Sequence, residues 1–393
     1  MTVRIVLYSH DSVGLGHIRR NLAIAHALTA GIPALTGETV TGLLVAGRPE
    51  AADFPVPTGW DRLILPGVER TRSGYATRSL DVDLAAAVAL RGSVFRAAVS
   101  TFQPDLVVVD RHPFGVENEL RGALHALRAE NPSCRIVLGL RDVLDTPDAT
   151  AAEWSAVGGA SALRSVLDAV WIYGDPAIHD AAAAGEIPRG LTDLVAHTGY
   201  LAAGRVAGRD TAMPDPFILT TVGGGTDGAA LAEAAARAVV PDGYQHLVVT
   251  GPQMAAEDRR RVRAVARPGT RVVRRVPDAL PLIDRAAAVV CMGGYNTLCE
   301  VMSTSTPALV VPRVQRRAEQ RIRADALARA GAVATKHPSR ADAEHLSAWF
   351  AAAVGTTVSR HTIGLDGLTA LPRIAVDLLV RGADAAKGGP IAV

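Results

Sequence analysis

Short apolar runs rich in β-branched residues alternate along this chain with longer stretches in which apolar positions recur at helical spacing. The first run is Val3-Arg-Ile-Val-Leu-Tyr8, and an amphipathic stretch follows it through Ala30. Further runs fall at Val40–Ala46, Asp61–Leu65, Asp105–Asp110, Arg135–Leu140 and Ala169–Tyr173, with helical stretches at Leu84–Ser100 and Glu117–Ala129. Thr198-Gly-Tyr200 reads as the end of the last strand in this series. A second series opens at Phe217-Ile-Leu-Thr-Thr-Val222 and continues at Gln245–Thr250, Thr270–Arg274, Ala288–Met292, Ala308–Val311 and Ala332–Thr335. Continuous apolar runs mark strands covered on both faces. Strands alternating with helices predict parallel, doubly wound α/β sheets.

Between the two series the pattern breaks into Gly204, Gly208, Arg209-Asp210, Pro214 and Pro216, which reads as a linker. The expected organisation is therefore a Rossmann-like domain over 1–203, a linker over 204–216 and a second Rossmann-like domain over 217–369. A helix and tail occupy 370–393. The helix falls near Leu371–Val380, and the residues around Lys387-Gly-Gly-Pro390 read as frayed.

Charge and composition narrow the function classes. Arginine carries almost all the positive charge, with lysine only at Lys336 and Lys387, and the net charge of +2 gives no electrostatic case for a nucleic-acid ligand. No apolar run approaches the ~20 residues that span a bilayer, and Val3–Tyr8 reads as a strand rather than a leader. Cys134, Cys291 and Cys299 are too few and too far apart for a disulfide framework or a zinc site. A soluble, cytoplasmic protein without an integral membrane segment is expected.

The stretch from Cys291 to Gln320 carries the most chemistry. A strand ends in Gly293-Gly294 and a helix opens at Asn296 and Thr297. Such a turn lets the backbone approach a phosphate while the helix N-terminus offers free N–H groups. Glu300, one turn on, suits the hydroxyls of a ribose, and Glu319-Gln320 after the next strand suit those of a sugar. Gly223-Gly224-Gly225-Thr226 repeats the phosphate logic at the first turn of the second domain. In the first domain, Gly14-Leu-Gly16-His17 puts a histidine at the opening of a helix, where an imidazole can accept a proton from an attacking hydroxyl. The simpler alternative is that His17 caps the helix or holds an anion. Asp110 and His112 end one strand and Arg141 ends the next, outside the carboxyl ends where open sheets bind ligands. They are candidates on the acceptor side, or for orienting the base, and salt-bridged strand ends would look the same. Asp81-Val-Asp83 has the form of a metal-binding acid pair, but an acid at a helix N-terminus is the simpler account.

The Cys291–Gln320 stretch resembles the donor-binding signature of the GT-B glycosyltransferases, in particular glycosyltransferase family 28, which includes the N-acetylglucosaminyltransferase of peptidoglycan synthesis. Gly16-His17-Ile-Arg19-Arg20 is similar to the glycine-histidine loop of that family. It also resembles the Gly-His-x-x-Arg segment of the UDP-sugar hydrolase of pseudaminic acid biosynthesis, another GT-B protein. The resemblance implies two Rossmann-like domains facing a cleft, with the final helix able to cross back to the first. It implies a nucleotide-diphosphate sugar, UDP-linked, as co-substrate, and neither cofactor nor metal. By resemblance Gly16 belongs to the donor site, the Gly223–Gly225 loop and the Gly293–Gly294 turn flank the diphosphate, and Val276 offers backbone to the nucleobase. The expected activity is inverting transfer with His17 as base on an acceptor hydroxyl. The alternative is hydrolysis, with water in the acceptor's place. Arg19-Arg20 and the polar, arginine-rich stretch 66–80 depart from a lipid-acceptor pattern and favour a soluble acceptor, a small molecule or cell-envelope precursor.

Overall fold

The computed structural model describes residues 1–10, 14–71, 74–206, 208, 211–315 and 317–387. Residues 11–13 of the first loop, Arg209 and Asp210 of the linker and 388–393 of the tail lie outside the described residues.

In the N-terminal domain the strands are β1 (Thr2–Tyr8), β2 (Thr39–Ala46), β3 (Trp60–Ile64), β4 (Val68–Thr71), β5 (Gly74–Thr77), β6 (Leu106–Asp110), β7 (Arg135–Arg141), β8 (Ala169–Tyr173) and β9 (Val195–His197). Seven of them form one parallel sheet in the order β3-β2-β1-β6-β7-β8-β9. The strand order reverses between β1 and β6. Tyr8 pairs with Val109 there, so the chain leaves both strands at the same level. The C-terminal domain holds β10 (Phe217–Thr221), β11 (Gln245–Val249), β12 (Thr270–Val273), β13 (Ala288–Cys291), β14 (Ala308–Val310) and β15 (Ala334–Thr335). Its parallel order is β12-β11-β10-β13-β14-β15, and Thr221 pairs with Cys291 across the reversal. Such reversals are where open α/β sheets bind ligands.

Several boundaries differ from the sequence reading. The last strand of the first sheet ends at His197, before Thr198-Gly-Tyr200. Tyr200 N–H instead donates to the Gly364 carbonyl, and Leu201 bridges Asp366. The helix expected from Glu117 starts at Arg121, because a short 3-10 turn and the positive φ of Glu117 and Asn118 intervene. The first helix runs on to Thr36 with Pro33 inside its last turn, and the strand expected from Ala332 is only Ala334–Thr335. β4 and β5 form an antiparallel hairpin within 66–80, a stretch whose polarity hid any strand pattern.

The helix Leu84–Phe102, 19 residues, is long and apolar enough by length and composition to cross a membrane, which corrects the reading that no such run exists. It carries Arg91, fully buried and ion-paired with Glu119, and packs Phe95 and Val99 into the core beside the helix Arg121–Glu130.

One apolar cluster runs through both domains. It joins Tyr173 and Tyr200 to Tyr295 and Leu298, and takes in Leu371, Ala375 and Leu378 of the final helix, Gly367–Lys387. That helix packs against the first helix, Gly16–Thr36. The contact is close enough that a Cβ on Gly31 would stand 2.3 Å from the Pro372 ring, which is why a side chain is missing there.

Candidate functional site

At the reversal of the first sheet, His17 comes from the first turn of the helix Gly16–Thr36 after β1 and Asp110 from the end of β6. His17 Nδ1 lies 2.5 Å from Asp110 Oδ2. The tautomer this contact selects donates Nδ1–H to the carboxylate and leaves the Nε2 lone pair free to take a proton. Arg20, one turn along the same helix, donates to both oxygens of Asp110, at 2.7 and 2.5 Å. Burial alone would raise the Asp110 pKa, but Arg20 and His17 outweigh it and hold the carboxyl below its usual range. Asp110 therefore stays an anion, able to stabilise an imidazolium on His17. The Arg20 guanidinium lies over the rings of Tyr173 and Tyr295, 5.9 and 5.6 Å from their centroids.

His10 and His112 complete this corner. The His10 ring sits 4.3 Å from that of His17 and 4.6 Å from that of His112. Burial first, then the neighbouring imidazoles, holds His10 neutral. Burial and Arg111 do the same for His112. Nothing in the local pattern around His10 marked it in the sequence, since a lone histidine after a strand is common.

At the reversal of the second sheet the two glycine turns follow β10 and β13. Gly223 and Gly225 have φ of 61° and 93°, and a Cβ on Gly225 would meet the Thr250 carbonyl at 2.2 Å. Thr226 is exposed and donates to Gln253 Oε1 at 3.1 Å. Gly294 caps the helix Tyr295–Met302, whose first-turn N–H groups have no partner within the helix. Gly293 packs against Gln320, and Thr297 is half-buried in the first turn.

The two corners face each other across short contacts. Asn296 Nδ2 donates to the Gly16 carbonyl at 2.8 Å. Arg19 donates to Glu300 Oε1 at 2.7 Å, and Arg205 stands 3.8 Å from the same oxygen. Arg323 is buried between the domains, bonded to Asp142 at 2.8 and 2.9 Å and to the Gly293 carbonyl at 2.9 Å. Tyr295 donates its hydroxyl to the Tyr173 carbonyl, 2.8 Å away.

Glu319 opens the helix Glu319–Arg329 and accepts from Arg313 at 3.0 Å, while Gln320 Oε1 accepts from the Arg313 backbone N–H at 3.0 Å. Arg141, at the end of β7, lies 3.9 Å from Glu319. Val276 sits apart in the loop between β12 and the helix Leu280–Arg285, packed on the core beside Asp278. Asp83 caps the helix Leu84–Phe102 by accepting from the Ala86 N–H at 2.7 Å. The structure thus gathers His17, Asp110 and His112 at one corner, the glycine turns with Asn296 and Glu300 at the other, and Arg141 with Glu319 between the domains. Sequence reasoning singled out Arg19 and Arg20 without their partners, and missed Arg205 and Arg323, the other arginines that tie these groups together.

Residues 219–349, which contain both glycine turns, Glu300 and Glu319-Gln320, match the family model of the glycosyltransferase family 28 C-terminal domain. That stretch is a glycosyltransferase family 28 C-terminal domain by its match. No curated protein sequence matches it. Among solved structures it is similar to the glycosyltransferase VinC in complex with DTDP, at 16% identity and a TM-score of 0.59 over 98% of this chain and 100% of that one. It is also similar to CalG4, the calicheamicin glycosyltransferase (15%, TM-score 0.57, 100% of both chains), and to Acinetobacter baumannii MurG (16%, 0.52, 96% and 99%). The two-domain GT-B fold extends over nearly the whole of this chain and of these neighbours.

Proposed function

We propose that the protein transfers a sugar from a nucleotide-diphosphate donor, UDP-linked, to a hydroxyl of a soluble acceptor, with inversion and without a metal or other cofactor. The observation that carries this reading is the His17–Asp110 pair at the reversal of one sheet, facing two glycine turns at the reversal of the other. In this reading the diphosphate lies on the turns at Gly223–Gly225 and Gly293–Gly294, where backbone N–H groups and the start of the Tyr295–Met302 helix stabilise the leaving charge. Glu300 takes the ribose, Val276 lies beside the base, and Glu319 and Gln320 bind the transferred sugar. His17 Nε2 removes the acceptor proton as the hydroxyl attacks the anomeric carbon from the side opposite the diphosphate, and Asp110 stabilises the imidazolium that results. Asn296 and Thr297 shape the entry of the helix. The acceptor, a small molecule or a cell-envelope precursor, meets the His17 corner.

The test is nucleotide release from a panel of nucleotide sugars, with and without cell extract as a source of acceptor. Transfer requires slow release alone and faster release once the acceptor is present, both lost in His17→Ala. Free sugar liberated at full speed without acceptor would instead mean hydrolysis.

A further inference from the structure

Arg141 stands between the domains without a carboxylate at hydrogen-bond distance among the described residues, and unlike Arg205, which is held by the Leu201 carbonyl and Asn296 Oδ1, its guanidinium has no such polar anchor there. Its side chain is 18% exposed, and its closest carboxylate oxygen is Glu319 Oε1 at 3.9 Å, beyond hydrogen-bond reach. Its Nε is buried without a partner. Its neighbours differ. Arg20 bonds Asp110, Arg111 bonds Glu153 at 2.5 Å, and Arg323 bonds Asp142. Across the gap, Glu319 Oε2 and Arg313 Nε are likewise buried without partners. A guanidinium offers five donors in a fixed fork, and leaving them unmade inside a protein is costly. Burial lowers the Arg141 pKa to about 9; Glu319 opposes this, while Arg323, Arg20 and Arg111 add to it.

We propose that Arg141 receives a carboxylate carried by the transferred sugar, so that the donor is a nucleotide-linked uronic acid or a similar acidic sugar. The inference rests on the reading above that Glu319 faces that sugar. A neutral hydroxyl would occupy one N–H of the fork but leave its charge beside three other guanidiniums. A carboxylate accepts both branches and neutralises the charge. Glu319 does not forbid this, because Arg313 already holds its Oε1 and the free Oε2 accepts a sugar hydroxyl. The diphosphate is the other oxyanion available. It has its own cradle at the glycine turns of the C-terminal domain, whereas Arg141 belongs to the opposite domain and approaches Glu319.

Calorimetric titration with UDP, UDP-glucose and UDP-glucuronic acid, on wild type and Arg141→Met, tests the assignment. Methionine keeps the length of the side chain, and a thermal melt together with UDP binding checks that the variant is folded. Wild type should prefer UDP-glucuronic acid to UDP-glucose about tenfold or more, and the variant should bind both equally while keeping its affinity for UDP. Equal affinities in the wild type, or a preference that survives the substitution, would overturn the proposal. So would an equal loss for UDP and UDP-glucuronic acid, which would assign Arg141 to the diphosphate. If none of the three binds the wild type, the uridine-donor reading itself fails, and the inference with it.

Discussion

Arg19 and Glu300, 281 residues apart in the chain, meet at 2.7 Å across the cleft. Glu300 is 2% exposed and Arg19 35%, so the carboxylate proposed for the donor ribose is already held by the opposite domain. Asp278 stands 3.7 Å from the same arginine and gives it a place to go when a ribose arrives. Because a half-exposed pair is worth at most about 1 kcal/mol, Arg19→Ala should tighten nucleotide binding about two- to fivefold. Glu300→Ala should weaken it about tenfold. Calorimetry on both variants decides: an Arg19→Ala protein that binds more weakly would mean that the arginine itself contacts the donor.

The His17–Asp110 pair should act as a unit. General-base catalysis contributes roughly 10²–10⁴ in rate, so His17→Ala should lose about that much. Asp110→Asn should lose a comparable factor, and the double variant little more than either single one. Asp110→Asn also leaves Arg20 buried without its anion, which costs about 3–5 kcal/mol. Its melting temperature should therefore fall, whereas that of His17→Ala should not. Additive rate losses would show two independent roles.

Gln320→Ala should impair binding of the full donor while leaving the free nucleotide diphosphate nearly unaffected, because Gln320 follows β14, one strand past the glycine turn. Its Oε1 also holds the Arg313 backbone N–H. Equal losses for both ligands, measured by calorimetry, would move Gln320 from the sugar to the phosphates or to the loop itself.

Acid should loosen the C-terminal domain through His246. This residue of β11 is fully buried against Phe350, shares a hydrogen bond with Thr220 at 2.8 Å, and burial lowers its pKa to about 3. Between the unfolded value near 6.5 and pH 3 only the unfolded chain binds this proton. The stabilisation is therefore complete above about pH 6.5 and is lost as pH falls through that window, by an amount on the order of a few kcal/mol. Denaturant titrations of wild type and His246→Gln from pH 7 to 4 should show a shallower acid decline in the variant. Parallel curves would exclude His246 as the source.

What the sequence made legible followed from burial. Strands such as Leu106–Asp110 and Ala169–Tyr173 are apolar throughout because both faces are covered, so runs of residues sufficed to find them. The glycine turns were legible because each marks a strand end at a reversal of strand order. The β4–β5 hairpin was not, since Val-Glu-Arg-Thr and Gly-Tyr-Ala-Thr are too short and polar to stand out. The charge pairs were hidden for another reason. Arg19 with Glu300 and Arg323 with Asp142 join segments of different domains, and no local pattern encodes which arginine reaches which acid.

The clasp between Gly31 and Pro372 bears on how the protein is made. A ribosome releases the first helix well before the residues of Gly367–Lys387, with the whole second domain made in between. Until then the face of the nascent N-terminal domain that Leu371, Ala375 and Leu378 later cover stays open to water. Vectorial synthesis therefore leaves the first domain waiting for the second to be made, and the two domains complete their folding together rather than in sequence.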